Sequence, residues 1–202
     1  SNFISTGIYI FEPEVIDLIP SGVTFHIGSE LFPLMAERGL PFYAQKRPFN
    51  WLDIGSVADY WSVLQDVLKG EVAHMDVPGI QVEDGVWVGL NTSIDWNGTV
   101  IKGPVYIGSG CRIESGVTII GPTWIGHGSH ICEGAEVVRS VLFEYTRVLH
   151  DVTLHEMIVF KDYSVDRAGE MKHCSEYSSE EWVNARDRRQ HRRTGGELAY
   201  AK

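Results

Sequence analysis

The sequence predicts a mainly β chain: a solenoid of short strands and tight turns, preceded by a smaller α/β segment and followed by a helix. Three observations predict it. First, a large or branched apolar residue returns every sixth position: Val82, Val88, Ile94, Ile101, Ile107, Ile113, Ile119, Ile125, Ile131, Val137, Phe143 and Leu149. One step is a residue longer, Ile94 to Ile101, where Asp95-Trp96-Asn97-Gly98 holds the extra position. A fixed self-similar period marks a solenoid, and this one fits a short strand plus a tight turn rather than a helix. Second, a small or β-branched residue lies four places after most of these: Val86, Thr92, Val105, Cys111, Val117, Thr123, Ser129, Ala135 and Val141. Third, glycines punctuate the repeat, as in Ile107-Gly108-Ser109-Gly110 and Ile125-Gly126-His127-Gly128. Glycine tolerates the positive φ that a sharp corner requires. Three edges would close one triangular coil, with each inward side chain stacked on its counterpart one coil away. Full burial of one such side chain contributes about 1.5–3 kcal/mol.

The first segment, 1–70, reads as strand (Ile4 to Phe11), helix (Glu14 to Ile19), helix (Ser29 to Arg38) and strand (Pro41 to Lys46). Trp51-Leu52-Asp53-Ile54-Gly55 and a helix from Ser56 to Leu68 follow. Ser29 and Ser56 are expected N-caps, and Gly70 a stop. Two strands are few for an independent sheet, so this segment reads as the end of a larger α/β domain. A connector with Pro78-Gly79 leads to the solenoid, 80–165. Its last rung blurs at Arg147, where the repeat wants a small residue, and Ile158-Val159-Phe160 adds a further strand. In the tail, 166–202, Ser178-Ser179-Glu180-Glu181 has the form of a capping box. It predicts a helix to about Arg193 that carries Arg186, Arg188, Arg189, Arg192 and Arg193. The helix ending near Leu68 is expected to cap the first coil, and the tail helix to cover the last coil or a face.

Composition narrows the function. Hydrophobic residues make up 44% and charged residues 22% of the 202, as in ordinary soluble globular chains. A net charge of −10 argues against a nucleic-acid partner. No apolar run is long enough to span a bilayer, and Ser1-Asn2-Phe3-Ile4 lacks the marks of a signal peptide. Three scattered cysteines, Cys111, Cys132 and Cys174, fit a reducing cytoplasm; the first two read as small fillers of the repeat.

The repeat resembles the hexapeptide motif of left-handed parallel β-helices, an exception to right-handed crossovers. Ser5-Thr6-Gly7-Ile8-Tyr9-Ile10-Phe11, Leu31-Phe32-Pro33-Leu34 and Trp51-Leu52-Asp53-Ile54-Gly55, followed by Asp59-Tyr60, resemble the C-terminal part of the catalytic domain of sugar-1-phosphate nucleotidyltransferases. A β-helix directly after that block is what the family implies. The resemblance implies attack of a sugar 1-phosphate oxygen on the α-phosphate of an NTP, with Mg²⁺ as cofactor. It makes Asp53 the metal ligand and catalytic residue, in need of a second, upstream carboxylate, and places Thr6 and Gly7 beside the sugar. Ser5 stands where the family has asparagine. A GDP-mannose-forming type (mannose-1-phosphate guanylyltransferase-like) is expected first and a thymidylyltransferase of glucose 1-phosphate second. In many members of the family the β-helix builds the oligomer or binds a regulator, so a homo-oligomer is expected. The family's glycine-rich nucleotide loop is not among these residues, so the 202 residues alone are expected not to catalyse the transfer.

Other readings stay open on the residues. β-helix acyltransferases use a histidine as general base, and His127, His130, His150 and His155 are available. Three histidines shared between subunits would bind Zn²⁺ in a hydratase. A purely structural solenoid needs neither. Locally, Asp53 could equally cap the helix that follows it.

Overall fold

The apolar ladder folds into stacked three-stranded coils, because inward side chains can be buried only against the coil above and below. The computed structural model describes residues 5–46, 51–174, 181–184 and 186, which divide into two compact units, Ser1–Trp51 and Leu52–Lys202. In the second unit, β1 (Ile80–Glu83) leads in, antiparallel to β2 (Val86–Val88). The first coil is β2, β3 (Ser93–Ile94) and β4 (Val100–Lys102). The second is β5 (Val105–Ile107), β6 (Arg112–Ile113) and β7 (Thr118–Ile120). The third is β8 (Thr123–Ile125), β9 (His130–Ile131) and β10 (Glu136–Val138). The fourth is β11 (Val141–Leu142), β12 (Thr146–Val148) and β13 (Thr153–His155). Strands one coil apart pair in parallel, so the three faces are the sheets β2-β5-β8-β11, β3-β6-β9-β12 and β4-β7-β10-β13. The fold is mainly β, a parallel β-helix of four complete coils, consistent with the left-handed form.

The rungs are not uniform. The first coil is one residue longer than the second, and the third one residue shorter. The extra residue sits at the Asp95 corner, as expected, where the Asn97 amide donates to Asp95 Oδ1 at 2.9 Å. The lost residue falls at Val138-Arg139-Ser140, where Arg139 takes φ +42°. This shifts the phase of the ladder. Ile125 pairs with Leu142 and Ile131 with Val148, not with Phe143 and Leu149 as expected. Leu142 and Val148 are fully buried, whereas Phe143 and Leu149 are half-buried. Ser140 and Thr146 likewise take the buried positions expected of Val141 and Arg147. Val82, expected to start the ladder, lies exposed on β1.

Neighbouring coils approach closely at one corner. The amides of Gly89, Gly108 and Gly126 donate to the carbonyls of Ile107, Ile125 and Leu142, each at 2.7 Å. A Cβ at Gly108 would lie 2.7 Å from the His127 amide nitrogen, and one at Gly126 2.6 Å from that of Glu144. Glycine is required there by the backbone of the next coil.

Helix α1 (Pro13–Ile16) begins on Pro13, which suits the first helical position. A π-turn at Ile27–Leu31 runs into α2 (Phe32–Glu37). The cap is His26 rather than the expected Ser29: His26 Nδ1 accepts from the Ser29 amide at 3.3 Å, and Glu30 Oε2 accepts from the His26 amide at 2.6 Å. Neither expected strand of the first segment, Ile4 to Phe11 or Pro41 to Lys46, forms a ladder in its described residues. A strand needs a partner for its backbone groups, and no sheet forms in the described part of this unit. Its aromatic residues cluster instead, with Tyr9 edge-on to Phe32 at 5.1 Å and Phe32 stacked on Phe42 at 5.8 Å.

Helix α3 (Val57–Leu68) belongs to the second unit. Ser56 Oγ accepts from the Asp59 amide at 3.2 Å and donates to Asp59 Oδ2 at 2.7 Å; Gly70, at φ +72°, follows the C-cap. Its apolar stripe, Val57, Tyr60, Trp61 and Leu64, packs on Trp124, Val141, Phe143 and Ile158. The helix therefore covers the flank of the third and fourth coils instead of capping the first coil, where it was expected. The displaced Phe143 is what it covers.

The far end is closed by strands. β14 (Met157–Phe160), β15 (Tyr163–Asp166) and β16 (Met171–His173) form an antiparallel meander, and β17 (Trp182–Asn184) pairs antiparallel with β12. Where a tail helix from Ser178 to Arg193 was expected, the described residues are a strand; residues 178–180, 185 and 187–193 lie outside the described set. Trp182 is fully buried in the solenoid core, and its Nε1 donates to the Lys161 carbonyl at 3.1 Å. An indole plugging the core, with β12 offering a free edge, outweighs the helical signal of the capping box.

Candidate functional site

Of the residues the sequence singled out, Thr6 and Gly7 lie in the first unit and Asp53 in the second. Thr6 is half-buried and Gly7 exposed. Gly7 takes φ +77° in a local turn, its amide donating to Ser5 Oγ at 3.3 Å. Asp53 lies exposed in an irregular stretch before α3. The cap of that helix is Ser56 with Asp59, so local capping does not account for Asp53. Among the described residues Asp53 belongs to no group of three or more His, Cys, Asp or Glu side chains close enough to hold a metal ion.

Among the described residues, a group of metal-ligating side chains lies elsewhere, on the sheet β3-β6-β9-β12. Ser93, Arg112, His130 and Arg147 stand in register along its outer surface. Glu114 and Cys132, each one residue past the inward isoleucine of its rung, complete the cluster. His130 Nε2 and Glu114 Oε1 are 2.8 Å apart, and Arg112 reaches the same oxygen at 3.3 Å. Glu114 Oε2 accepts from the Glu133 amide at 3.0 Å. Cys132 Sγ lies 4.0 Å from His130 Nε2 and accepts from Arg147 Nε at 3.5 Å. Burial pushes the Glu114 carboxyl up, but the bonds from His130 and the Glu133 amide, with the charge of Arg112, outweigh it and hold the group below the usual carboxylate range. Burial holds the His130 imidazole below its ordinary value, against the pull of Glu114. Burial raises the Cys132 thiol despite the opposing bond from Arg147. An open hollow of about 630 Å³, lined by Ser93, Asp95, Arg112, Glu114 and Glu133, borders the cluster.

Sequence reasoning missed this group. Cys132 reads as a filler because it falls within a repeat unit, and Glu114 draws no notice alone. The signal was the register: Arg112-Ile113-Glu114 and His130-Ile131-Cys132 occupy the same places one coil apart.

The four histidines considered for catalysis do not converge among the described residues. His127 Nδ1 accepts from the Ser109 amide at 3.0 Å, His130 is bonded to Glu114, His155 contacts Arg139, and His150 is exposed at a turn.

Residues 1–70 match the family described as nucleotidyl transferase. The chain is also 50% identical over 169 residues to a UTP–glucose-1-phosphate uridylyltransferase of Synechocystis sp., a stretch covering 84% of this chain and 44% of that protein. Together these likenesses support a sugar-1-phosphate nucleotidyltransferase family for the chain. Other similar proteins are a mannose-1-phosphate guanylyltransferase of Mycobacterium tuberculosis and mannose-1-phosphate guanylyltransferase 1 of Arabidopsis thaliana. The first is 30% identical over 118 residues (56% of this chain, 33% of that protein) and the second 36% over 120 (57% and 32%). The chain spans less than half the length of these curated relatives. Among the described residues, no helix is long and apolar enough to cross a membrane.

Proposed function

We propose that the whole protein containing this chain makes a nucleotide sugar by transferring a nucleotidyl group from an NTP to a sugar 1-phosphate. The nucleotidyl transferase match over residues 1–70, immediately followed by the β-helix, carries this reading. The sequence alone suggested GDP-mannose. The likeness to the uridylyltransferase extends over far more of the chain and favours UTP with glucose 1-phosphate. In this reading Asp53 provides one carboxylate to Mg²⁺, partnered by a carboxylate outside these residues, and the turn at Thr6-Gly7 borders the sugar. The β-helix serves assembly of a cytoplasmic homo-oligomer. Its support is the first coil, where β3 and β4 are edge strands and Leu90, Trp96 and Val100 are exposed.

The test is a panel assay of pyrophosphate release by the whole protein with Mg²⁺. Each of UTP, GTP and dTTP is offered with glucose 1-phosphate and with mannose 1-phosphate. Turnover with UTP and glucose 1-phosphate is expected. Turnover with GTP and mannose 1-phosphate would restore the first expectation, and none with any pair would end the reading. The 202 residues alone are expected to release no pyrophosphate.

A further inference from the structure

We propose that Glu114, His130 and Cys132 form a binding site for a borderline-soft divalent cation, of which Zn²⁺ is the best fit, stapling the second coil to the third. The ligand atoms, one carboxylate oxygen, one imidazole nitrogen and one sulfur, all lie within 4.8 Å of one another. A zinc ion bonded to oxygen, nitrogen and sulfur at about 2.0–2.3 Å holds its donors roughly 3–4 Å apart, so small side-chain movements close the site. The mixed donor set excludes Mg²⁺ and Ca²⁺, which take oxygen ligands, and suits Zn²⁺ or Co²⁺.

Two of the three ligands are already oriented from behind. Glu114 Oε2 is held by the Glu133 amide, leaving Oε1 directed at His130. Cys132 Sγ accepts from Arg147 Nε, the kind of outer hydrogen bond that stabilises a metal-bound thiolate. The ligands come from rigid places, the ends of β6 and β9, which pair in parallel. Three protein ligands leave a fourth position for water, and of the three only Glu114 lines the neighbouring hollow. Arg112 and Arg147 oppose a cation by charge, but the two charges of Zn²⁺ are balanced by the Glu114 carboxylate and the Cys132 thiolate, the thiol releasing its proton to solvent on binding. Cys111 and Cys174 belong to no such group among the described residues.

The experiment is titration of the metal-stripped chain with Co²⁺, followed by competition with Zn²⁺. One Co²⁺ per chain, with a thiolate-to-cobalt charge-transfer band that Zn²⁺ abolishes, is the expected result. C132S removes the band, while H130A and E114Q each weaken binding about tenfold or more, and Arg147→Gln by about 10–100-fold. Zn²⁺ raises the midpoint of thermal unfolding of the parent chain and leaves that of C132S unchanged. Should C132S fail to fold, loss of cobalt affinity in H130A and E114Q reads the same site. Absence of the band, its persistence in C132S, or affinity unchanged in both H130A and E114Q would overturn the assignment.

Discussion

Ile125 is fully buried and stacks between Ile107 and Leu142 in successive coils. Ile125→Ala leaves a cavity that the coils above and below cannot fill, and costs about 2–5 kcal/mol. The measurement is a lowered denaturant midpoint at unchanged m-value. His130 acts through protonation. Because burial holds its imidazole below the ordinary value, the folded chain binds fewer protons there than the unfolded one. Its contribution is therefore intact above about pH 6.5 and lost as pH falls towards the folded-state value. Glu114, also held low, adds its own loss only below about pH 4.3. In the metal-free chain, H130Q should narrow the fall in melting temperature between about pH 7.5 and 5.5. At this scale the core was legible in the sequence and the polar cluster was not. Apolar burial repeats with a period, whereas Glu114, His130 and Cys132 meet only through the coil-to-coil register.

At the scale of elements, the ladder shifts its phase at Arg139. Val148→Asp buries an unpaired carboxylate and costs at least about 4 kcal/mol, whereas Leu149→Asp costs about 1 kcal/mol. Equal effects, or a reversal, in thermal melts would restore the six-residue count. Trp182→Ala, which unplugs the far end, should cost about 3–5 kcal/mol. The ladder from Val88 to Val137 could be read directly, because one residue type held one place. Beyond Val137, Phe143 and Leu149 are apolar too, so the count ran on past a deletion that only backbone pairing exposes. The tail misled for another reason. Ser178 to Glu181 satisfies a local helix signal, yet β12 and the open core reward a strand at Trp182, and a tertiary gain overrides local propensity.

At the scale of the molecule, a transferase-family segment precedes a β-helix with open edges on its first coil and a closed far end. Residues 1–70 show their kinship in short motifs, because those motifs were shaped by chemistry. Before α3 they show their folding poorly, since Ile8, Ile10 and Tyr43 stand exposed and no sheet forms among the described residues there. Asp53 was legible as a candidate from Trp51 to Gly55, but its expected partner carboxylate lies outside these residues. The claim on which the account rests is that Asp53 serves Mg²⁺-dependent transfer in the whole protein. The direct measurement is pyrophosphate release from UTP and glucose 1-phosphate by the whole protein and by its Asp53→Asn variant. The account predicts turnover by the parent and a fall of about 100-fold or more in kcat for the variant, with folding unchanged. Equal rates for the two proteins would contradict it.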